Sequence, residues 1–182
     1  MKRDNRQQPP RFKIAIRESI LEFLEAESLA SPRTGTGGVV AGRGSLADGE
    51  IVLTNASGSG PKARRTRYSY ARDKEYCQAF LDRVAVESAR KVDYLGEWHK
   101  HHESEPRPSG LDIKTAADIA AGPDYHVSLC LLLIIGASNS RDSLRVFVVH
   151  PNGVILKAAW NVYAEAGEEG GGADDRKVQG RG

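Results

Sequence analysis

Residues 129–135 read LCLLLII, an unbroken apolar run, and this run constrains the fold more than any other stretch of the chain. It is far shorter than the ~20 residues that cross a bilayer. As a strand it has no polar face, so both of its faces need cover. That predicts a central strand in a sheet with helices on either side.

The neighbouring patterns supply those layers. Ile16, Ile20, Phe23 and Leu24 recur at helical spacing and predict a helix over residues 12–30, ended by Ser31-Pro32. A glycine-rich entry at 35–42 leads into a short strand. Residues 50–55 form the next strand after an Asp48-Gly49 turn. Residues 56–67 read as a loop. Residues 73–89 form an amphipathic helix with Tyr76, Phe80, Leu81, Val84 and Ala85 on its buried side. A strand at 92–101, a loop at 102–110 and a short helix at 112–121 follow. Strands at 127–136, 143–150 and 154–163 complete the order, the last two joined at Asn152-Gly153. The class is α/β: one domain with a mixed β-sheet flanked by helices.

Composition narrows the partners. The chain has 182 residues, with 26 Lys+Arg against 24 Asp+Glu, a balance that argues against a nucleic-acid surface. Of the two cysteines, Cys130 lies inside the apolar run and reads as a buried thiol; Cys77 is not CxxC-spaced to it. Neither a disulfide framework nor a cysteine metal cage is expected. Residues 1–11 are expected to be a disordered leader without a signal-peptide core, and residues 164–182 a disordered Gly- and charge-rich tail. The domain is then 12–163, in a cytoplasmic setting with no membrane partner.

The chemistry is concentrated between residues 97 and 112. His99 and His101 are two apart on a strand, so their imidazoles point to one face. A seven-residue gap and Ser109-Gly110-Leu111-Asp112 follow, and the loop can return the Asp112 carboxylate to the histidines. Two nitrogens and one oxygen leave a fourth position open, which is the pattern of a catalytic zinc site rather than a structural one. The plainer alternative is a solvated basic cluster, His99-Lys100-His101-His102.

His-x-His, seven residues, then Ser-x-x-Asp resembles the JAMM signature of the JAB/MPN metalloprotease family. The strand Gly37-Gly38-Val39-Val40-Ala41-Gly42 resembles the family's opening strand, and residues 55–63 before a long helix and Tyr94-Leu95-Gly96-Glu97-Trp98-His99 resemble its bacterial branch. The resemblance implies a cytidine-deaminase-like JAB/MPN fold and Zn2+ held by His99, His101 and Asp112. It also implies hydrolysis behind the C-terminus of a ubiquitin-like modifier. Ser109 is then the residue that stabilises the oxyanion; alternatively it caps the following helix. The implied partners are the ubiquitin-like modifier or its conjugates and the E1/E2-like enzymes of bacterial conjugation operons, several of which serve antiphage defence.

The sequence departs from that family at two positions. Active members carry a glutamate two residues before a glycine pair, where it shuttles a proton. Here the pair is Gly37-Gly38, so the glutamate position is Gly35, which has no side chain. Three explanations stand: a deliberate substitution, a pseudoenzyme, or a substitute among Glu27, Glu97, Glu103 and Glu105. Second, His102 stands where the family has proline, and solvent exposure is expected for it. His126 and His150 are given no site role.

Two other features have plain readings. Lys62, Arg64, Arg65, Arg67 and Arg72, with Tyr68 and Tyr70 between them, read as a solvated basic loop. Trp98 alternates with His99 and belongs to the core on the opposite face. The two functional hypotheses are a zinc isopeptidase and a non-catalytic module that binds a modifier tail or partner protein.

Overall fold

The computed structural model describes residues 12–67 and 70–163. The expected leader at 1–11, Tyr68, and the expected tail at 164–182 lie outside the described residues.

The chain begins with a strand, not a helix. β1 spans Lys13–Arg17 and α1 spans Glu18–Leu29, which corrects the single helix expected over 12–30. Phe12, Ile14 and Ile16 are buried at alternate positions, a period of two that places them on one face of a strand. The helical period starts only with Ile20, Leu21 and Leu24.

β2 (Gly37–Ser45) and β3 (Glu50–Ala56) pair antiparallel through the turn at Asp48-Gly49. A small hairpin of β4 (Arg64–Arg65) and β5 (Tyr70–Ala71) lies within and beyond the stretch expected to be loop. α2 (Lys74–Glu87) starts at Asp73, whose carboxylate accepts from the Tyr76 N–H. Cys77 and Val84 carry its buried side, whereas Tyr76, expected inside, is 42% exposed. β6 (Asp93–Lys100), α3 (Gly110–Ala121), β7 (Cys130–Ile135) and β8 (Arg145–Val149) follow as expected in type and order.

The last expected strand divides into β9 (Ile155–Ala158) and β10 (Trp160–Tyr163). The sheet order is β10-β1-β3-β2-β6-β7-β8-β9. β9 lies at one end of that order and β10 at the other, with only Ala159 between them in sequence. The sheet therefore curls until its two ends meet through one continuous stretch of chain. A single straight strand cannot pair with β8 and with β1 at once, and the break at Ala159 resolves this.

The curl creates an inner face and an outer face. Ile20, Leu21 and Leu24 of α1 pack inside against Ile14, Leu53, Trp98, Leu131, Leu133 and Val146. α3 covers the outer face through Ala116, Ile119 and Ala120 against Cys130, Leu132 and Ile134. The apolar run is thus buried on both sides, at six of six β7 positions. Each large apolar side chain so buried contributes roughly 1.5–3 kcal/mol. Among the described residues no helix is long and apolar enough to cross a membrane.

Candidate metal centre

β6 is the strand that positions the site. It pairs parallel with β7 and antiparallel with β2. Trp98 turns inward, edge-on to Phe23 at 6.3 Å, and its indole N–H donates to the Ser57 carbonyl at 2.8 Å. His99, next along, turns outward toward α3. His101 is the first residue past the strand, and its N–H donates to the Ile135 carbonyl at 2.9 Å, which continues the parallel ladder. The two imidazoles stack with centroids 5.0 Å apart.

Asp112 arrives from the first turn of α3. Ser109 caps that helix: its hydroxyl accepts from the Asp112 N–H at 3.2 Å, and the Asp112 carboxylate accepts from the Ser109 N–H at 2.6 Å. The reciprocal cap fixes the carboxylate over the histidines. Asp112 Oδ1 lies 3.4 Å from His99 Nε2, and Oδ2 lies 3.3 Å from His101 Nε2. Burial works against the carboxylate's charge. The imidazoles of His101 and His99 beside it, with the Ser109 N–H, outweigh it and hold Asp112 well below the usual range.

One donor atom of each residue falls within a sphere of mutual distances of 4.8 Å or less. His99 Nε2 is buried and has no hydrogen-bond partner. A buried imidazole nitrogen without a partner is costly. A cation between the three residues would satisfy it, and two imidazoles with one carboxylate are a donor set that zinc accepts. The residues present fit a metal ion.

Lys100, between the two histidines, points inward and is 6% exposed. Its ammonium donates to the carbonyls of Ser28 at 2.9 Å and Ser31 at 3.0 Å, and its backbone N–H to Thr36 at 2.9 Å. One residue thus holds both ends of the connection from α1 to β2.

That connection contains Gly35, whose N–H donates to the Thr66 carbonyl at 2.9 Å. Gly37 is the register partner of His99. Continued two residues back, the ladder sets Gly35 opposite His101, on the same face. The glycine pair that follows is sterically required. A Cβ at Gly37 would overlap the Trp98 carbonyl and come within 2.8 Å of His99 Cβ; one at Gly38 would overlap the Ser57 carbonyl.

The four substitute carboxylates separate cleanly. Glu27, on α1, has its carboxylate beside Gly58. Glu97 faces outward but is tied to Arg72 in a half-buried ion pair. Glu105 pairs with Arg145 at 3.3 Å. Glu103 alone reaches the ligand set, 3.6 Å from His101 Nδ1. His102 is half-buried rather than exposed. Its Nε2 has no partner, and burial lowers its pKa.

A cavity of about 230 Å³ opens beside the ligands, lined by Tyr70, Arg72, Glu97, His99, Leu111 and Asp112. A second, of about 600 Å³, lies between α2 and residues 124–129 and adjoins the first at Arg72 and Lys74. Sequence reasoning missed Tyr70 and Arg72 as lining residues, because the stretch had no alternation to mark a hairpin. The basic stretch itself is largely absorbed: Lys62 pairs with Glu75 at 2.6 Å, Arg65 donates to Ser59, and Arg72 pairs with Glu97. His126 lines the larger cavity, and His150 lies past the end of β8; neither is near the ligands in the described contacts.

This geometry coincides with a family match. The model for prokaryotic homologs of the JAB domain covers residues 20–148, and the chain belongs to that family. The "Probable metalloprotease y4qB" of Sinorhizobium fredii is 29% identical over 123 residues, 67% of this chain and 74% of that protein. The "CD-NTase/cGAS isopeptidase" of Enterobacter hormaechei is 25% identical over 142 residues, 78% of this chain and 77% of the relative. The solution structure of DSY2949 from Desulfitobacterium hafniense matches with a TM-score of 0.60 at 17% identity, over 84% of this chain and 94% of that one. That last likeness is one of fold. The relatives named metalloprotease and isopeptidase support a metal-dependent peptidase or isopeptidase role for members of this family.

Proposed function

We propose that the chain has the frame of a zinc-dependent isopeptidase that cleaves after the C-terminus of a ubiquitin-like modifier. The observation that carries this reading is the convergence of His99, His101 and Asp112, with His99 Nε2 buried and unpartnered at its centre. Zinc held there supplies Lewis acidity toward a scissile carbonyl and activates water at neutral pH. Ser109 accepts the Asp112 N–H, so its own hydroxyl hydrogen remains to donate to a developing oxyanion. The adjoining cavity leaves room for an extended tail beside the ligands.

Gly35 is the position at which a glutamate would rise beside His101, and without one no side chain there moves the proton to the leaving amine. The chain as it stands is an inactive form of the enzyme. The second reading, a non-catalytic module that binds a modifier tail or partner protein, rests on the same glycine. The relative named CD-NTase/cGAS isopeptidase supports a CD-NTase conjugate as the kind of substrate. E1/E2-like companions and a cytoplasmic place in antiphage defence rest on the resemblance to bacterial conjugation operons alone. The functional domain is 12–163.

The test is cleavage of linear modifier–reporter fusions by the zinc-loaded chain and its Gly35→Glu variant. The isopeptidase reading expects the variant to cut about 10²–10⁴-fold faster. Equal and negligible cutting, with the modifier still bound, supports the binding module instead.

A further inference from the structure

A metal-ligating histidine has two nitrogens, and only one can face the ion. The other carries the ring proton, and whatever accepts that proton decides which nitrogen keeps its lone pair. In His101, Nε2 faces Asp112 and the ligand set. Nδ1 faces outward, and Glu103 Oε2 stands 3.6 Å from it.

The backbone that presents Glu103 is held. Its carbonyl accepts from the Ala137 N–H at 2.9 Å, just as the Ile135 carbonyl accepts from His101. Both residues are therefore tied to the end of β7 and the turn after it. Gly136 permits this approach, since a Cβ there would come within 2.8 Å of the Glu103 carbonyl. Of the three other carboxylates considered at the site, Glu97 is engaged by Arg72 and Glu105 by Arg145, and Glu27 lies beside Gly58. Glu103 lies on the ring edge remote from Asp112, which suits it to orienting the imidazole and not to moving a proton at the centre.

We infer that Glu103 is a positioning residue: it holds the proton of His101 on Nδ1 and keeps the Nε2 lone pair directed at the metal. This rests on the metal reading of the site above. Carboxylates hydrogen-bonded to a ligand histidine typically add about 10–100-fold to metal affinity, and a small rotation of the exposed Glu103 side chain closes the 3.6 Å separation to such a bond.

The test measures zinc dissociation from the full chain by competition with a chromogenic chelator. It compares wild type, Glu103→Ala, Glu103→Gln and, as a control in the same loop, Glu105→Gln. Glu103→Ala is expected to weaken zinc about tenfold or more, and Glu105→Gln less than twofold. Because the Glu103 side chain is 68% exposed, the metal-free variants should melt with wild type. In the zinc-loaded wild type, nitrogen NMR of His101 should show the proton on Nδ1. Glu103→Ala that binds zinc within twofold of wild type overturns the inference alone. A wild type that binds no zinc overturns the metal reading and the inference with it.

Discussion

Gly37 of β2 and His99 of β6 are register partners, and the ladder leaves no space between them for a methyl group. β2 can pass His99 only because Gly37 lacks a Cβ, and it can pass Ser57 only because Gly38 does. Gly37→Ala should push against the Trp98 carbonyl and the His99 Cβ, at a cost of about 1–3 kcal/mol. Denaturant unfolding checks this. A fully stable alanine variant would mean that β2 and β6 do not lie at this separation.

Ser109 has two separable jobs. Removing its hydroxyl by Ser109→Ala should cost about 1 kcal/mol through the lost cap, whereas Ser109→Asn should keep most of that stability. In the Gly35→Glu background both variants should lose about 10²–10³-fold in cleavage if the hydroxyl also stabilises the oxyanion. Unfolding curves read the first effect and turnover the second. Full turnover in Ser109→Ala would leave capping as its whole role.

Much of this was legible in the sequence, for identifiable reasons. The run at 129–135 has no polar residue, so a central strand with two covers was its natural place, and β7 is buried throughout. His99, His101 and Asp112 could be grouped because the strand period sets the two histidines on one face and the spacing to Ser109-x-x-Asp112 resembles a known metal motif; the structure brings the three together. The start of the chain was misread because Ile16 fits both the alternation of Phe12 and Ile14 and the helical period that begins at Ile20. The division at Ala159 was hidden, since closure of the sheet depends on β8 and β1 lying on either side of one stretch. The β4–β5 hairpin was hidden too, its strands being two residues each and mostly charged.

Arg141 clamps the turn before β8 to α1. It donates to Glu25 at 3.2 Å and to Glu18 at 2.5 Å, and its own N–H also reaches Glu25 at 2.7 Å. The Arg141 guanidinium holds the Glu25 carboxyl below its ordinary value. A depressed carboxylate contributes stability above its unfolded pKa of about 4.3 and loses it as pH falls through the folded value. Arg141→Met should therefore cost about 1 kcal/mol at pH 7, the pair being partly exposed, and progressively less as pH falls below about 4.3 and through the folded value. Melting curves across a pH series from 7 downward check this; a wild-type-to-variant difference that does not shrink with falling pH would contradict it.

The central claim is that His99, His101 and Asp112 hold one zinc ion, and elemental analysis with a zinc titration tests it most directly. The purified chain should bind one zinc per molecule. His99→Ala, His101→Ala and Asp112→Ala should each lose it, while Gly35→Glu should keep it. A wild-type chain that takes up no zinc, or a triple variant that still binds it, would contradict the claim.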